Sequence, residues 1–166
     1  LITAALAVAA VALTARGRLV ALAASAAAIA TLVMSPPWNR ALMTSGAYLY
    51  APFVPPDLDL AAMLKAGRLV FYDEGASATI AVKTLTGTTT LTVDGKTDAS
   101  NRGDMLTQAL VAHLPLLLHE APREVAIVGL GSGVTAGAAL THPVARVDVI
   151  ELSPEVVEAS RFFERE

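Results

Sequence analysis

The sequence predicts an α/β fold: the start of a Rossmann-like nucleoside-binding domain, preceded by a small antiparallel β domain and by N-terminal transmembrane helices. Three observations carry that expectation. Residues 124–158 run in the order apolar stretch, glycine-rich turn, small-residue helix, second apolar stretch, acid. Residues 69–100 alternate apolar and polar side chains around glycine turns. Residues 1–34 are dominated by Ala, Val, Leu and Ile, with a basic break at Ala15-Arg16-Gly17-Arg18.

The apolar front divides at that break. A spanning helix needs ~20 apolar residues. Residues 19–34 reach that length only by borrowing flanks up to Pro36-Pro37, and the run over 1–14 begins with the sequence itself. A signal peptide would want its basic residues ahead of a single apolar run. Here they lie between two runs, as in the tight loop of a helical hairpin, so two transmembrane segments over 1–36 are expected. The alanine content leaves a buried hairpin of a soluble domain as the alternative. Arg16 and Arg18 favour a cytoplasmic loop, which would put the remainder outside. A domain that uses a metabolic nucleoside belongs inside, so the expected location is a multi-pass cell-membrane protein with that domain in the cytoplasm.

Residues 37–68 read as a connector. Trp38, Arg40, Tyr48 and Tyr50 suit an interfacial anchor, and a plain proline-rich linker is the equal alternative. Residues 57–68 have helical spacing, with Leu58, Leu60, Met63 and Leu64 on one side. The small β domain follows over 69–100. Residues 69–72 are apolar, 78–84 alternate through Ile80 and Val82, and 88–93 alternate through Leu91 and Val93. Asp94-Gly95 is a hairpin turn signal because both central positions favour positive φ. Asn101 or Asp104 caps a helix to about His119, bent or broken near Pro115. Glu120-Ala121-Pro122-Arg123 turns into the first parallel strand. The nucleoside domain begins at 101 and runs to 166. The sequence lacks an initial Met and ends inside a helical pattern, so it reads as a fragment cut at both ends.

The strongest functional signal is the unit over 124–158. Residues 125–128 meet the turn Gly129-Leu130-Gly131-Ser132-Gly133, and residues 147–150 end in Glu151. Strand, glycine turn, helix, strand and acid build a crevice at the carboxyl edge of a parallel sheet. Glycines let the backbone approach a ligand that side chains would repel. An acid at the second strand tip accepts from both ribose hydroxyls. Each residue also has a structural reading. Gly133 and Gly137 serve close helix–sheet packing, Ser132 caps the next helix as readily as it touches the ligand, and Glu155, Glu158, Glu164 and Glu166 form a solvated face. Glu151 has the least structural purpose there.

Bulk properties exclude other classes. The chain has 166 residues, 54% hydrophobic, with net charge −3 and no Cys. No basic stripe marks a nucleic-acid partner. Without Cys there is no disulfide framework and no thiolate metal site, and His113, His119 and His142 do not fall at metal-ligand spacing.

In this order the segments resemble the spermidine synthase family of polyamine aminopropyltransferases, and most of all its membrane-attached bacterial branch. The resemblance rests on residues 71–82 (FYDEGASATIAV), 91–119 (LTVDGKTDASNRGDMLTQALVAHLPLLLH) and the nucleoside unit. It implies a small β domain packed before a methyltransferase-type Rossmann domain. It implies transfer of an aminopropyl group from decarboxylated S-adenosylmethionine, a co-substrate, to a small amine acceptor such as putrescine. No permanent cofactor and no metal are implied, and a homo-oligomer is compatible with it. Carried over by position, Gly129, Gly131 and Gly133 lie under the donor, Glu151 holds its ribose, Gln108 lies near its aminopropyl tail, and Asp94-Gly95 is structural. A solvated helix position is the alternative for Gln108.

The departures are specific. Ser132 stands where the family usually has an acid that anchors the donor amine. Thr107 replaces an acceptor-contacting tyrosine, and Ala78 a site-facing glutamine. The catalytic aspartate is expected beyond residue 166, so the fragment alone is expected to be inactive. Two alternatives therefore stand: an S-adenosylmethionine-dependent methyltransferase, whose donor carboxylate an acid at position 132 would repel, and a membrane-anchored nucleoside-binding domain without catalysis. A dinucleotide oxidoreductase would want its third glycine at Val134.

Overall fold

The computed structural model describes residues 17–35 and 37–163. The chain divides into two units, Leu1–Trp38 and Asn39–Glu166. In the first, the described element is helix α1, Gly17–Met34. The two expected transmembrane segments are not supported. The first falls on residues 1–16, outside the described residues. The second does form a helix, but its 18 residues rise ~27 Å at ~1.5 Å each, short of a hydrocarbon core of ~30 Å. Among the described residues no helix is long and apolar enough to cross a membrane.

The second unit opens with short helical turns: α2 (Arg40–Met43), α3 (Ala47–Tyr50), a 3-10 turn (Ala51–Phe53) and α4 (Leu60–Leu64). The helix expected over 57–68 shrinks to five residues. Asp59 fixes its start, its carboxylate accepting from the N–H groups of Ala61 (2.9 Å) and Ala62 (3.2 Å). Gly67, at φ +85°, turns the chain into the sheet.

Four strands follow: β1 (Arg68–Glu74), β2 (Thr79–Leu85), β3 (Thr88–Val93) and β4 (Lys96–Ser100), an antiparallel meander in sequence order. Both inner turns have positive φ at both central residues, Thr86 (47°) with Gly87 (80°) and Asp94 (49°) with Gly95 (81°). That geometry matches the twist of the flanking strands. Asp94 also accepts from the Thr79 N–H at 2.8 Å. Asp94→Ala should therefore cost about 1–2 kcal/mol, through a left-handed alanine and a lost acceptor. Asp94→Asn, which tolerates the conformation and keeps an acceptor, should recover most of it. Urea unfolding followed by circular dichroism measures both; equal stability of the Ala variant and the parent would refute the assignment.

Register sorts the sheet's two faces. Val82 pairs with Leu91 and Leu91 with Ala99, while Ile80 pairs with Val93. Ile80, Val82, Leu91 and Ala99 are buried against Val156, Ala159 and Phe163, which lie on helix α7 (Pro154–Ser160) and its 3-10 extension Arg161–Phe163. On the opposite face Ala81 pairs with Thr92 and Thr92 with Thr97, and Lys83 pairs with Thr90. That face meets the connector. The Lys83 ammonium donates to the Ala41 carbonyl at 2.9 Å, and the Thr97 N–H donates to the Tyr50 hydroxyl at 3.1 Å. Arg40 lies over the Tyr72 ring at 5.0 Å. Arg40 and Tyr50, read from the sequence as anchor or linker residues, are thus ties to the sheet.

The part that follows the meander comprises helix α5 (Met105–Leu118), β5 (Glu124–Val128), α6 (Val134–Leu140) and β6 (Arg146–Ile150). β5 and β6 are parallel, with Val125 opposite Val147 and Ile127 opposite Val149. Helix α5 continues through Pro115 instead of breaking, although proline cannot donate to the preceding turn. Ala112, Leu116 and Ala139 form a second core with Val125, Ile127 and Val147.

Candidate nucleoside-binding site

The site forms where β5 and β6 end. After Val128, three of the next five residues adopt left-handed backbone: Gly129 (φ 91°), Gly131 (φ 55°) and Gly133 (φ 86°). Only glycine does this without strain. A Cβ at Gly129, Gly133 or Gly137 would meet nothing within 4 Å. The close-packing reading of Gly133 and Gly137 thus finds no neighbour. Conformation is what Gly129 and Gly133 supply, and the space beside them is open for a ligand. A cavity of about 480 Å³ borders the turn at Ser132, Gly133 and Val134.

Glu151 follows β6 and reaches back over the turn. One carboxylate oxygen accepts from the Leu130 N–H at 2.8 Å, the other from the Ser153 N–H at 2.9 Å. The side chain therefore has a structural task that sequence reasoning denied it: it ties the glycine turn to the β6–α7 loop. Burial pushes its pKa up, but the hydrogen bonds from the backbone N–H groups of Ser153 and Leu130 outweigh that and hold it below the ordinary 4.5. Each oxygen keeps a further lone-pair site, so the fixed carboxylate can still accept from a ribose diol.

Gln108 and Ser132 meet. The Ser132 hydroxyl, buried, donates to Gln108 Oε1, and Gln108 Nε2 donates to the Ser100 carbonyl at 2.8 Å. The Gln108 carbonyl accepts from Thr135 Oγ1 at 2.8 Å. Gln108 is thus a strut joining the end of β4, helix α5 and the glycine turn, not a solvated helix residue. Ser132 also receives the Val134 N–H, at 3.4 Å, a long contact for a cap. Asp104 does not cap α5 with its side chain; its carboxylate accepts from the Ser100 N–H (3.1 Å) and the Ser100 hydroxyl.

The remaining positions divide. Thr107 is exposed, and Ala78 packs against the sheet core. Glu155, read as part of a solvated face, is half-buried, and its carboxylate lies 2.5 Å from where a Cβ on Gly75 would stand. The β1–β2 turn thus closes against the start of α7, four residues from Glu151, with only the glycine at 75 as a sequence signal. His113 Nδ1 and His142 Nε2 approach to 2.8 Å, which spacing did not foretell. Among the described residues no group of three metal-capable side chains converges. A cavity of about 960 Å³ follows the open flank of β5 and α5 past Val111, Leu116 and Ile127. It is the uncovered side of a strand, whereas the glycine turn and Glu151 lie at the carboxyl ends, where α/β sheets bind ligands.

Residues 105–165 match the spermine/spermidine synthase domain family. The chain is 28% identical over 100 residues to a polyamine aminopropyltransferase of Archaeoglobus fulgidus, covering 60% of this chain and 37% of that protein. It is 36% identical over 74 residues to a spermidine synthase of Dictyostelium discoideum, covering 44% of this chain and 26% of that one. Among solved structures it is similar to spermidine synthase from Thermotoga maritima, with TM-score 0.54 and 26% identity over 58% of this chain and 35% of that chain. A spermidine synthase in complex with the transition-state analogue AdoDATO matches with TM-score 0.54 and 27% identity over 57% and 34%. The chain thus spans well under half the length of these relatives. These likenesses are to spermidine synthases and polyamine aminopropyltransferases, and the solved ones share the α/β fold.

Proposed function

We propose that the chain carries the donor-binding part of a polyamine aminopropyltransferase. The observation that supports this most is Glu151, held over the glycine turn by Leu130 and Ser153 with acceptor sites left for a ribose diol. The relatives named above are aminopropyltransferases and spermidine synthases, and one of the similar structures is a complex with AdoDATO.

The reaction needs little covalent help. The nitrogen lone pair of the acceptor amine attacks the methylene carbon next to the donor sulfonium. The carbon–sulfur bond breaks, its electron pair stays on sulfur, and methylthioadenosine leaves as a neutral thioether. The amine gives up one proton. The protein must align nitrogen, carbon and sulfur and keep the amine unprotonated. Residues 129–133 and Glu151 serve the first task by fixing the nucleoside. In this reading Gln108 faces the donor tail from its place beside Ser132. The group that takes the amine proton is proposed to lie beyond residue 166, putrescine is the proposed acceptor, and decarboxylated S-adenosylmethionine the proposed donor. Membrane attachment is proposed on the apolar composition of residues 1–34, and a cytoplasmic site on the metabolic nucleoside it would use.

The test is product analysis with the full-length polypeptide in detergent. Putrescine with the decarboxylated donor should yield spermidine and methylthioadenosine in equal amounts. S-adenosylmethionine should yield neither. Methyl transfer with no aminopropyl transfer would replace this reading by the methyltransferase one, which the absence of an acid at Ser132 favours.

A further inference from the structure

The sheet carries a second cavity on the face opposite α7. It measures about 240 Å³ and lies between the connector and the strands. Lys83 is half-buried at its wall and has the Ala41 carbonyl as a hydrogen-bond acceptor at 2.9 Å. Among the described residues no Asp or Glu lines the cavity. A half-buried ammonium is ordinarily paired with an anion, and burial holds this one below the usual lysine range. Around Lys83, cross-strand pairing places Thr90 and Thr92 on the same face. Val54, Met63, Leu64 and Leu85 supply aliphatic lining. One cation with hydroxyls beside an aliphatic wall complements an anionic head with a short apolar tail. At ~30 Å³ per water-sized group the cavity holds roughly eight heavy atoms.

We propose that this cavity is a second binding site, separate from the glycine turn, for a small amphipathic monocarboxylate whose carboxylate pairs with Lys83. The geometry supports a carboxylate over a phosphate, because a phosphate would press its remaining oxygens against the aliphatic wall. The ligand would also bridge the connector to the sheet, since Met63 belongs to α4 of the connector and Lys83 to β2.

Hexanoate is the probe, with hexanol as the uncharged control, titrated into the full chain in detergent and followed by amide chemical shifts. Hexanoate should shift the amides of Lys83, Thr92 and Thr97 saturably, and hexanol should bind at least tenfold more weakly. The Lys83 ammonium should titrate at higher pH with hexanoate bound. Lys83→Met should weaken hexanoate at least tenfold with little effect on hexanol. Met63→Trp, which fills the space beside the aliphatic lining and keeps the charge, should abolish binding of both and covers the case in which Lys83→Met does not fold. Shifts scattered over the surface, or equal hexanoate affinity in the parent and either variant, would overturn the site. Because Glu151 lies on the other side of the sheet core, Glu151→Ala should leave hexanoate binding intact, which separates this result from any failure of the proposed transferase activity.

Discussion

Replacing Glu151 by alanine should weaken binding of decarboxylated S-adenosylmethionine by at least roughly 100-fold. Two hydrogen bonds from ribose hydroxyls to an ionised carboxylate contribute about 1.5–3 kcal/mol each, and about 1.4 kcal/mol is tenfold in affinity. A second loss adds to the first, because Leu130 and Ser153 lose their acceptor and the turn that should carry the donor loosens. Calorimetry on the full-length polypeptide measures affinity, and amide hydrogen exchange at Leu130 and Ser153 measures the loosening without ligand. Glu151→Gln does not rescue, since its NH₂ group must face one of two N–H donors. Binding within threefold of the parent would refute the role. The pH dependence has a definite sign. Glu151 has a lowered folded pKa, so its stabilisation of the turn is fully present above the unfolded value of about 4.5. It is lost as pH falls through the lower folded pKa. Donor affinity should follow the same course, flat above that value and falling below it.

What was legible follows from the range of each interaction. Strands β1, β2, β3, β5 and β6 announce themselves because alternation or an apolar run is local. The hairpin at Asp94-Gly95 and the glycine turn do so because positive φ narrows the choice of residue. β4 was not legible: Lys96–Ser100 is polar, and Ala99 alone faces the core cluster. Its place comes from pairing with β3. The site residues were nameable one by one, but their connections were not. Leu130 and Glu151 lie 21 residues apart and Ser132 and Gln108 lie 24 apart, so neither tie leaves a periodic trace. The same holds for Lys83 and Ala41, 42 residues apart. Residues 37–68 read as a connector because their fixation depends on a sheet that follows them in sequence.

That fixation predicts a large effect from a small change. Gly46→Ala should detach the connector from the sheet. Gly46 sits at φ +67°, and a Cβ there would stand 2.3 Å from the Gly95 carbonyl oxygen and 2.7 Å from the Tyr50 ring. The left-handed backbone alone costs an alanine about 1–3 kcal/mol. The ring can swing aside, but only by giving up the Thr97 N–H donated to its hydroxyl. The carbonyl cannot move freely, because Gly95 is fixed in a turn with φ +81°. The approach is mutual: a Cβ on Gly95 would stand 2.6 Å from the Gly46 nitrogen. Two glycines thus let two backbones touch, and neither tolerates a methyl group. Limited proteolysis should cut the variant within 39–66 at least tenfold faster than the parent. The β-sheet signal in circular dichroism should persist, because α7 and its 3-10 extension cover the opposite face with Val156, Ala159 and Phe163. Parent-like resistance would mean that the connector is held by Lys83 and Arg40 without the glycine contact. Loss of the sheet as well would mean that the connector is an obligatory wall of the β domain.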